Sequence, residues 1–290
     1  MIKVQNFKIE TELVPSPAKY SVLYPSDYET SEKKYPLMLF LHGGNGPKGF
    51  VNQIKPIIQD LWEKKLAPEM VVVVPHCDRS FYMDYRDNSQ KWETYLLSEL
   101  ILQLQNKFRV YKEPSKSFLA GVSMGGMGTL RIGFKYPSKF GILIAFEPAI
   151  EPAIEWKDVQ PRDKFYRKKE VMEPIFGSPF DEEFWKINNP IYIARENADK
   201  IRESDIKIYI EVGTEDMLGL FRGAEFIHRL LFDKNISHEF RIVYGADHIG
   251  PSLKERFING FSFLNRVINN PKPDLKIIKN LSKIMLERAK

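Results

Sequence analysis

Residues 115–137, SKSFLAGVSMGGMGTLRIGFKYP, contain the pattern that decides the fold. An apolar run leads into GVSMG at 121–125, and apolar residues at helical spacing follow at once. A strand, a tight turn and a helix around G-x-S-x-G project the central serine above the sheet. Glycines two residues before and after the serine avoid side-chain collisions across the turn. The pattern therefore predicts that Ser123 is a nucleophile, favoured over a simple glycine-rich turn by its strand–turn–helix setting.

Short β-rich segments alternate with helical patterns along the whole chain. Nearly all-apolar runs at 36–41 and 70–74 are typical of strands covered on both faces. Segments 7–13 and 19–25 are joined by Pro-Ser-Pro at 15–17, too short for a crossover helix, which predicts antiparallel edge strands. The alternation favours an α/β fold with a mostly parallel sheet of about eight strands and helices on both faces. Further strands are predicted at 117–122, 142–146, 206–212 and 239–244, and helices at 92–108, 125–136, 219–233 and 252–268.

Two segments interrupt this alternation. Residues 151–204 are too long for a simple connection and rich in aromatics, so they are predicted to be an insert over the active site, within one domain at 1–270. The aromatics either shape a pocket or form the insert's own small core. Residues 271–290 follow a Pro-Lys-Pro break and are predicted to be an amphipathic helix. Docking on its own domain or contact between two copies of the chain is favoured over an anionic surface, because lysines suit the solvated face of a packed helix.

Five histidines are candidates for the base that activates the serine. In hydrolases with this serine pattern, the acid and then the histidine follow the serine along the chain. His42 and His76 precede the serine, His228 lies within a helical pattern, and His238 opens the last strand. His248 lies in YGADHIGPSLKERF, between a strand and a helix. His248 is therefore predicted to be the base.

The orienting acid is expected directly after the strand that precedes this histidine. The segment IKIYIEVGTEDMLG (206–219) offers Glu215 and Asp216 at that point. Asp216 is predicted to be the acid, against the alternative that it caps the helix after 219. Glu215 is the neighbouring candidate, and Glu147, which follows the run ILIAF, is a second one because it ends the preceding strand.

With Ser123, Asp216 and His248 in this order, the chain resembles α/β hydrolases of the esterase D type between 20 and 266. The resemblance rests on the serine motif together with YPLMLFLHGGNG, SFYMDY followed by KWETYLLSEL, FGSPFDEEFWKINNP, GTEDML and GADHIGPSLKERF. That family includes feruloyl and acetyl-xylan esterases, S-formylglutathione hydrolase and mycolyl transferases. It implies an α/β-hydrolase fold, a Ser–His–Asp triad without a cofactor, and hydrolysis of small or sugar-linked acyl esters through an acyl-enzyme.

The resemblance also implies an oxyanion hole built from backbone N–H groups. One belongs to Met124, and the other is assigned by position to Gly44, with Gly43 and Asn45 as neighbouring alternatives. The same triad can pass the acyl group to an alcohol, so an acyltransferase stays an alternative. A non-catalytic binding protein on this fold is disfavoured because all three triad positions are filled.

The stretch LFLHGGNGPKGF (39–50) also fits the G-x-G-x-x-G pattern of a dinucleotide loop. That pattern requires an acidic residue at the end of the next strand, whereas the strand here ends in Pro-His-Cys at 75–77. Pro47 also falls inside the glycine pattern. The stretch is therefore interpreted as the loop that supplies an oxyanion donor, and no cofactor is expected.

Composition excludes several other classes of protein. The net charge of +5 is concentrated from residue 251 onward, where nine basic and three acidic residues lie, so a nucleic-acid groove is not expected. The single cysteine, Cys77, precludes an intrachain disulfide, and the N-terminal residues contain no apolar signal segment. No apolar run is long enough for stable membrane insertion, and no motif indicates a metal site. We therefore expect a cytoplasmic protein whose partner is a small-molecule ester.

Overall fold

Eight strands form the centre of the computed structural model, which describes residues 2–270 and 274–288. They pair in the order β1-β2-β4-β3-β5-β6-β7-β8. Strands β3 to β8 pair with one another in parallel, whereas β2 is antiparallel to both β1 and β4. This confirms the predicted sheet with antiparallel N-terminal edge strands. The strands are β1 (Lys3–Ile9), β2 (Ala18–Tyr24), β3 (Leu37–Leu41), β4 (Val71–Pro75), β5 (Ser117–Val122), β6 (Ile142–Phe146), β7 (Lys207–Gly213) and β8 (Glu239–Val243).

The position of β1 differs from the prediction of a strand at 7–13. Strand β1 pairs with β2 residue by residue, from Lys3 opposite Tyr24 to Ile9 opposite Ala18. The pairing with β2 covers residues 3–9, so the register with β2 sets the limits of β1. Residues 10–17 form the connection between the two strands.

Helices cover both faces of the sheet, as predicted. Two buried apolar clusters, one on each face, hold them there: one cluster includes Ile54 and Phe257, and the other includes Leu130 and Ile227. The helices are α1 (Pro47–Glu63), α2 (Trp92–Thr94), α3 (Ile101–Lys107), α4 (Met124–Lys135), α5 (Pro161–Lys164), α6 (Lys169–Phe176), α7 (Glu182–Ile187), α8 (Pro190–Glu196), α9 (Ala198–Glu203), α10 (Phe221–Asp233), α11 (Leu253–Ile268) and α12 (Leu275–Arg288), with a π-helical segment (Tyr95–Leu100) between α2 and α3.

Helix α1 has no counterpart among the helices predicted from the sequence. It begins at Pro47, directly after Gly46, whose φ of 88° lies in the left-handed region. Proline is well suited to the first helical position, because a backbone N–H at that position would have no acceptor within the helix. The glycine-rich loop therefore opens a helix, as a dinucleotide loop also would. The feature that disfavours a dinucleotide site is the end of β4, where Pro75 takes the place of an acidic residue.

The insert contains five short helices, α5 to α9. The ring centroid of Trp156 lies 4.7 Å from that of Phe180 and 5.1 Å from that of Trp185. These rings form an aromatic group within the insert, and Trp185 belongs to the same buried apolar cluster as Leu130, so the insert packs onto one face of the sheet.

Helix α12 has no buried residue within 275–288, and its apolar side chains Ile278 and Leu281 are 45% and 54% exposed. Residues 271–273 and 289–290 of the predicted C-terminal extension lie outside the described part of the chain. Within the described residues, no helix combines the length and the hydropathy that crossing a bilayer requires.

Candidate active site

Ser123 occupies the single residue between β5 and α4. Its φ of 57° and ψ of −116° are strained for a side-chain-bearing residue, so the surrounding backbone must hold it. The Ser123 N–H donates to the carbonyl oxygen of Phe146 at 2.9 Å, and the Ala149 N–H donates to the Ser123 carbonyl oxygen at 3.1 Å. Both bonds anchor the turn to the end of β6 and to the segment that follows it.

The glycines of the turn are required by close backbone contacts. A Cβ atom on Gly121 would collide with the carbonyl oxygen of Gly125. A Cβ atom on Gly125 would collide with the carbonyl oxygen of Leu41 at the end of β3. The G-x-S-x-G pattern therefore reflects two sites where the backbone leaves no room for a side chain.

The three residues predicted to form a triad meet at the carboxyl ends of the parallel strands. His248 Nε2 lies 3.0 Å from Ser123 Oγ, and His248 Nδ1 lies 3.2 Å from Asp216 Oδ2. The Asp216 side chain is fully buried, and the His248 side chain is 11% exposed. This is the order of contacts by which a carboxylate orients an imidazole toward a serine hydroxyl.

The environment of Asp216 favours its charged form. Burial raises the pKa of this carboxyl, but the hydrogen bond and the charge of His248 and the N–H of Leu218 outweigh burial, so the pKa lies below its usual value. The Leu218 N–H donates to Asp216 Oδ1 at 2.7 Å. Asp216 is thus a carboxylate that can fix the tautomer of the imidazole.

The two alternative acids, Glu215 and Glu147, make other contacts. Glu215 is exposed at the mouth of the cleft, next to Asp216 in the chain. Glu147 is buried directly after β6, with a φ of 45°, and accepts a hydrogen bond from Arg256 Nη1. Burial and the nearby Asp216 carboxylate outweigh the attraction of Arg256 and raise the pKa of Glu147 to about 9. Of the three carboxyl groups, Asp216 is the one hydrogen-bonded to His248.

A metal ion is the other ligand that this cluster suggests, since ligand atoms of Glu147, Asp216 and His248 all lie within 4.8 Å of one another. The Arg256 guanidinium already contacts the Glu147 carboxyl, and His248 Nδ1 already contacts Asp216. The Arg256 guanidinium therefore already supplies a positive charge next to these carboxyl groups.

The loop at 42–46 faces Ser123 from the end of β3. His42 Nδ1 lies 2.7 Å from the carbonyl oxygen of Gly43, and the Cys77 N–H donates to His42 Nε2 at 3.2 Å. These partners fix a neutral imidazole with the proton on Nδ1, and burial lowers the pKa of His42. Arg79 Nε donates to the carbonyl oxygen of Gly44 at 2.9 Å. Both peptide groups that flank Gly44 are thus held by a side chain.

The sequence did not identify His42 and Arg79 as residues that hold this loop, nor Arg256 as the partner of Glu147. His42 precedes the glycines directly, and that adjacency is a signal that could have identified it. Arg256 lies 109 residues from its partner Glu147, so no local pattern links the two.

An open cleft of about 840 Å³ lies above Ser123. Gly43, Gly44 and Met124 are among the residues that line it. The insert contributes Tyr166 and other residues to the lining, so it both borders the cleft and packs onto the buried cluster of the sheet. Apolar side chains of the lining include Phe50, Phe81, Val171, Met217, Leu218, Ile249 and Leu253. Polar or charged side chains of the lining include Asn45, Gln53, Arg79, Arg167, Lys168, Glu215 and Asp247.

The remaining histidines and the cysteine have structural contacts. His76 Nε2 lies 2.9 Å from Ser21 Oγ, and His228 Nδ1 lies 2.8 Å from His238 Nε2. Complete burial raises the pKa of the Cys77 thiol well above its usual value, which keeps it protonated. A buried neutral thiol is a poor nucleophile.

Comparison with known proteins finds relatives that are named as esterases. The family model named Esterase matches residues 11–254. An esterase of Mycobacterium tuberculosis is 29% identical over 138 residues, covering 46% of this chain and 30% of that protein. An acetyl esterase of Caldicellulosiruptor saccharolyticus is 31% identical over 88 residues, covering 30% of this chain and 33% of that protein. The chain spans about a third of the length of these curated relatives.

Solved structures share the fold over nearly the whole chain. A ferulic acid esterase has a TM-score of 0.74 at 21% identity, covering 92% of this chain and 98% of that one. The S-formylglutathione hydrolase of Staphylococcus aureus has a TM-score of 0.72 at 17% identity, covering 91% and 99%. At these identities the likeness concerns the fold, and it confirms the predicted α/β-hydrolase architecture.

Proposed function

The chain belongs to the Esterase family, and from this premise we propose that it hydrolyses carboxylic esters with Ser123 as nucleophile, His248 as base and Asp216 as orienting acid. The observation that carries the proposal is the continuous contact from Asp216 Oδ2 through the imidazole to Ser123 Oγ, at 3.2 and 3.0 Å. Distances of this size allow proton transfer between the groups.

In the proposed reaction, His248 Nε2 takes the proton of the Ser123 hydroxyl as Oγ attacks the ester carbonyl carbon. The negative charge of Asp216 stabilises the imidazolium that forms. His248 then gives the proton to the leaving alcohol, and an acyl-serine remains. A water molecule, deprotonated by His248, attacks the acyl-serine, and the carboxylic acid is released as the serine regains its proton.

The carbonyl oxygen becomes negatively charged in each tetrahedral intermediate. We assign its stabilisation to the backbone N–H groups of Met124 and Gly44. Met124 is the first residue of α4, so its N–H also benefits from the positive end of the helix dipole. Removal of one such donor typically costs about 3–4 kcal/mol in the barrier. The loop contacts of His42 and Arg79 support the assignment of Gly44 by keeping the adjacent peptide groups in one orientation.

The apolar walls and the volume of the cleft support acyl esters of small or sugar-linked type as substrates. We further propose a cytoplasmic location, consistent with the single cysteine. For helix α12 we propose contact between copies of the chain, because its apolar face is exposed within 275–288. A Leu281→Glu substitution should then lower the apparent mass in size-exclusion chromatography.

Two measurements test the proposed reaction. The chain should hydrolyse p-nitrophenyl acetate, and a serine-directed fluorophosphonate should attach to Ser123 in peptide mapping. Ser123→Ala should remove both signals, and attachment at another residue would overturn the assignment. Product analysis with an alcohol present distinguishes hydrolysis from acyl transfer, since a transferase would form a new ester.

A further inference from the structure

The loop that carries His248 is held from below by one buried side chain. Arg256, in the first turn of α11, donates from Nη2 to the carbonyl oxygens of Asp247 and His248, at 2.7 and 3.0 Å. Its other terminal nitrogen, Nη1, contacts the Glu147 carboxyl. The Arg256 side chain is only 1% exposed, so these bonds replace water that it cannot reach.

Glu147 connects this guanidinium to the strands that carry the nucleophile and the acid. The Gly213 N–H, at the end of β7, donates to Glu147 Oε1 at 2.8 Å. The Glu147 N–H donates to the carbonyl oxygen of Glu211 at 2.8 Å, and the preceding residue, Phe146, accepts the N–H of Ser123. Glu147 thus joins the segment that leads to Asp216, the turn of Ser123 and, through Arg256, the loop of His248.

Building on the function proposed above, we propose that Arg256 and Glu147 are positioning residues that hold His248 and Asp216 in register with Ser123. Neither side chain lines the cleft, so both act through the groups that they hold.

The geometry of the contacts explains why an arginine is suited to this position. A guanidinium presents several N–H donors in one plane, whereas a lysine offers a single nitrogen. Two backbone carbonyl groups and one carboxyl group converge on it from different segments. Without these bonds, two partly buried carbonyl oxygens on the His248 loop lose donors, and the loop can shift. A displacement of about 1 Å at a reacting group can cost roughly 100-fold in rate.

The state of Glu147 makes a conservative variant informative. Its pKa of about 9 indicates a neutral carboxyl at pH 7. A glutamine has the same shape, is also neutral, and keeps an oxygen that can accept from Gly213 and Arg256. Leucine has a comparable size but offers no acceptor. Glu147→Gln is therefore expected to keep the contacts that Glu147→Leu removes.

The experiment compares Glu147→Leu, Glu147→Gln, Arg256→Met and Arg256→Lys in steady-state hydrolysis of p-nitrophenyl acetate, below the Tm of every variant. We expect Glu147→Leu and Arg256→Met to lower kcat roughly 10- to 100-fold with KM within about twofold, and Arg256→Lys to lower it less. Glu147→Gln should restore kcat to within about threefold of the parent chain. The rate of fluorophosphonate attachment should fall in parallel with kcat.

Glu93→Leu is the matched control. Glu93 is similarly buried, with a side chain 4% exposed, and it pairs with Arg131 and Lys135 away from the cleft. It should lower the Tm and leave kcat within about twofold. The inference is overturned if Glu147→Leu and Arg256→Met behave in the same way as this control. Where Arg256→Met does not fold, Arg256→Lys decides, and an unchanged kcat in that variant overturns the inference.

Ser123→Ala, assayed alongside, separates this inference from the proposed function. Activity in Ser123→Ala would reject the proposed function, and the inference with it. An inactive Ser123→Ala together with fully active Glu147 and Arg256 variants would reject the positioning role alone.

Discussion

His42 Nδ1 lies 2.7 Å from the carbonyl oxygen of Gly43, in the peptide group whose N–H belongs to Gly44. An amide oxygen and the N–H of the same peptide group are held in one plane. A hydrogen bond that fixes the oxygen therefore also fixes the direction of the Gly44 N–H. The buried imidazole thus sets the orientation of the assigned oxyanion donor without approaching the substrate.

Replacing His42 with Phe should test this relationship. The ring fills the same buried space but removes the donor to Gly43 and the acceptor for the Cys77 N–H. We expect kcat for p-nitrophenyl acetate to fall roughly 10- to 100-fold, less than the complete loss of an oxyanion donor would cause. His228→Phe serves as the control, because His228 stacks on Phe240 with ring centroids 4.4 Å apart. Equal kcat values in the two variants would contradict the role of His42.

Asp216→Asn should distinguish the assigned acid from its neighbour. The amide cannot stabilise an imidazolium and favours the wrong tautomer of His248, so kcat is expected to fall roughly 10⁴-fold. Glu215→Gln, at an exposed carboxyl, should change kcat by less than about threefold. Steady-state kinetics of both variants measure the contrast, and the reverse order of effects would assign the acid to Glu215.

Two glycine substitutions should give opposite results. A Cβ atom on Gly44 meets no atom within 4 Å, and the functional group there is the backbone N–H, so Gly44→Ala should keep kcat/KM within about fivefold. A Cβ atom on Gly125 would collide with the carbonyl oxygen of Leu41, so Gly125→Ala should lose most of its folded yield or its activity. Thermal melts and kcat/KM check both outcomes. A fully active Gly125→Ala would contradict the described packing of the turn.

The pH dependence of stability should differ in sign between two buried carboxyl groups. The pKa of Glu147 is raised from 4.5 to about 9, so the fold binds its proton more tightly than the unfolded chain does. The resulting contribution is complete below pH 4.5 and is lost as the pH rises toward about 9. Glu147→Gln removes this dependence, so the variant should gain stability relative to the parent chain over that range.

Glu93 should behave in the opposite way. Burial raises its pKa, but Arg131 and Lys135 outweigh burial and lower it to about 2. Its contribution is present above pH 4.5 and is lost as the pH falls toward about 2, so Glu93→Gln should be most destabilising above pH 4.5. Free energies of unfolding from denaturant titrations between about pH 3.5 and 9 measure both trends. Parallel curves for the two variants would contradict the assigned charge states.

The fold was predictable where local pattern and tertiary contact agree. The apolar runs of β3 and β4 and the turn around Ser123 are specified by neighbouring residues, so the mostly parallel sheet followed from the sequence. The limits of β1 did not, because they depend on pairing with β2. Helix α1 was missed because its first turn lies in a segment whose glycines and proline are typical of a loop.

The same distinction between local patterns and tertiary contacts applies to the candidate site. Ser123, Asp216 and His248 have local signals, since each lies at a turn that follows a strand. Arg256 and Glu147 have no local signal, because their role depends on a contact between residues 109 positions apart. From the sequence, Glu147 was considered only as an alternative acid. Contacts between distant segments are created by the folded sheet, and one sequence does not contain a pattern for them.

The division of the cleft between the sheet and the insert separates reactivity from selectivity. The residues proposed to carry out the reaction all follow strands of the sheet, while residues 151–204 supply a side wall that includes Tyr166 and Val171. That wall lies outside the strands of the sheet, so its lining can vary without altering the strand ends. A scaffold arranged in this way is well suited to evolutionary diversification, in which exchange of one contiguous segment changes the preferred ester while the reacting groups are inherited intact.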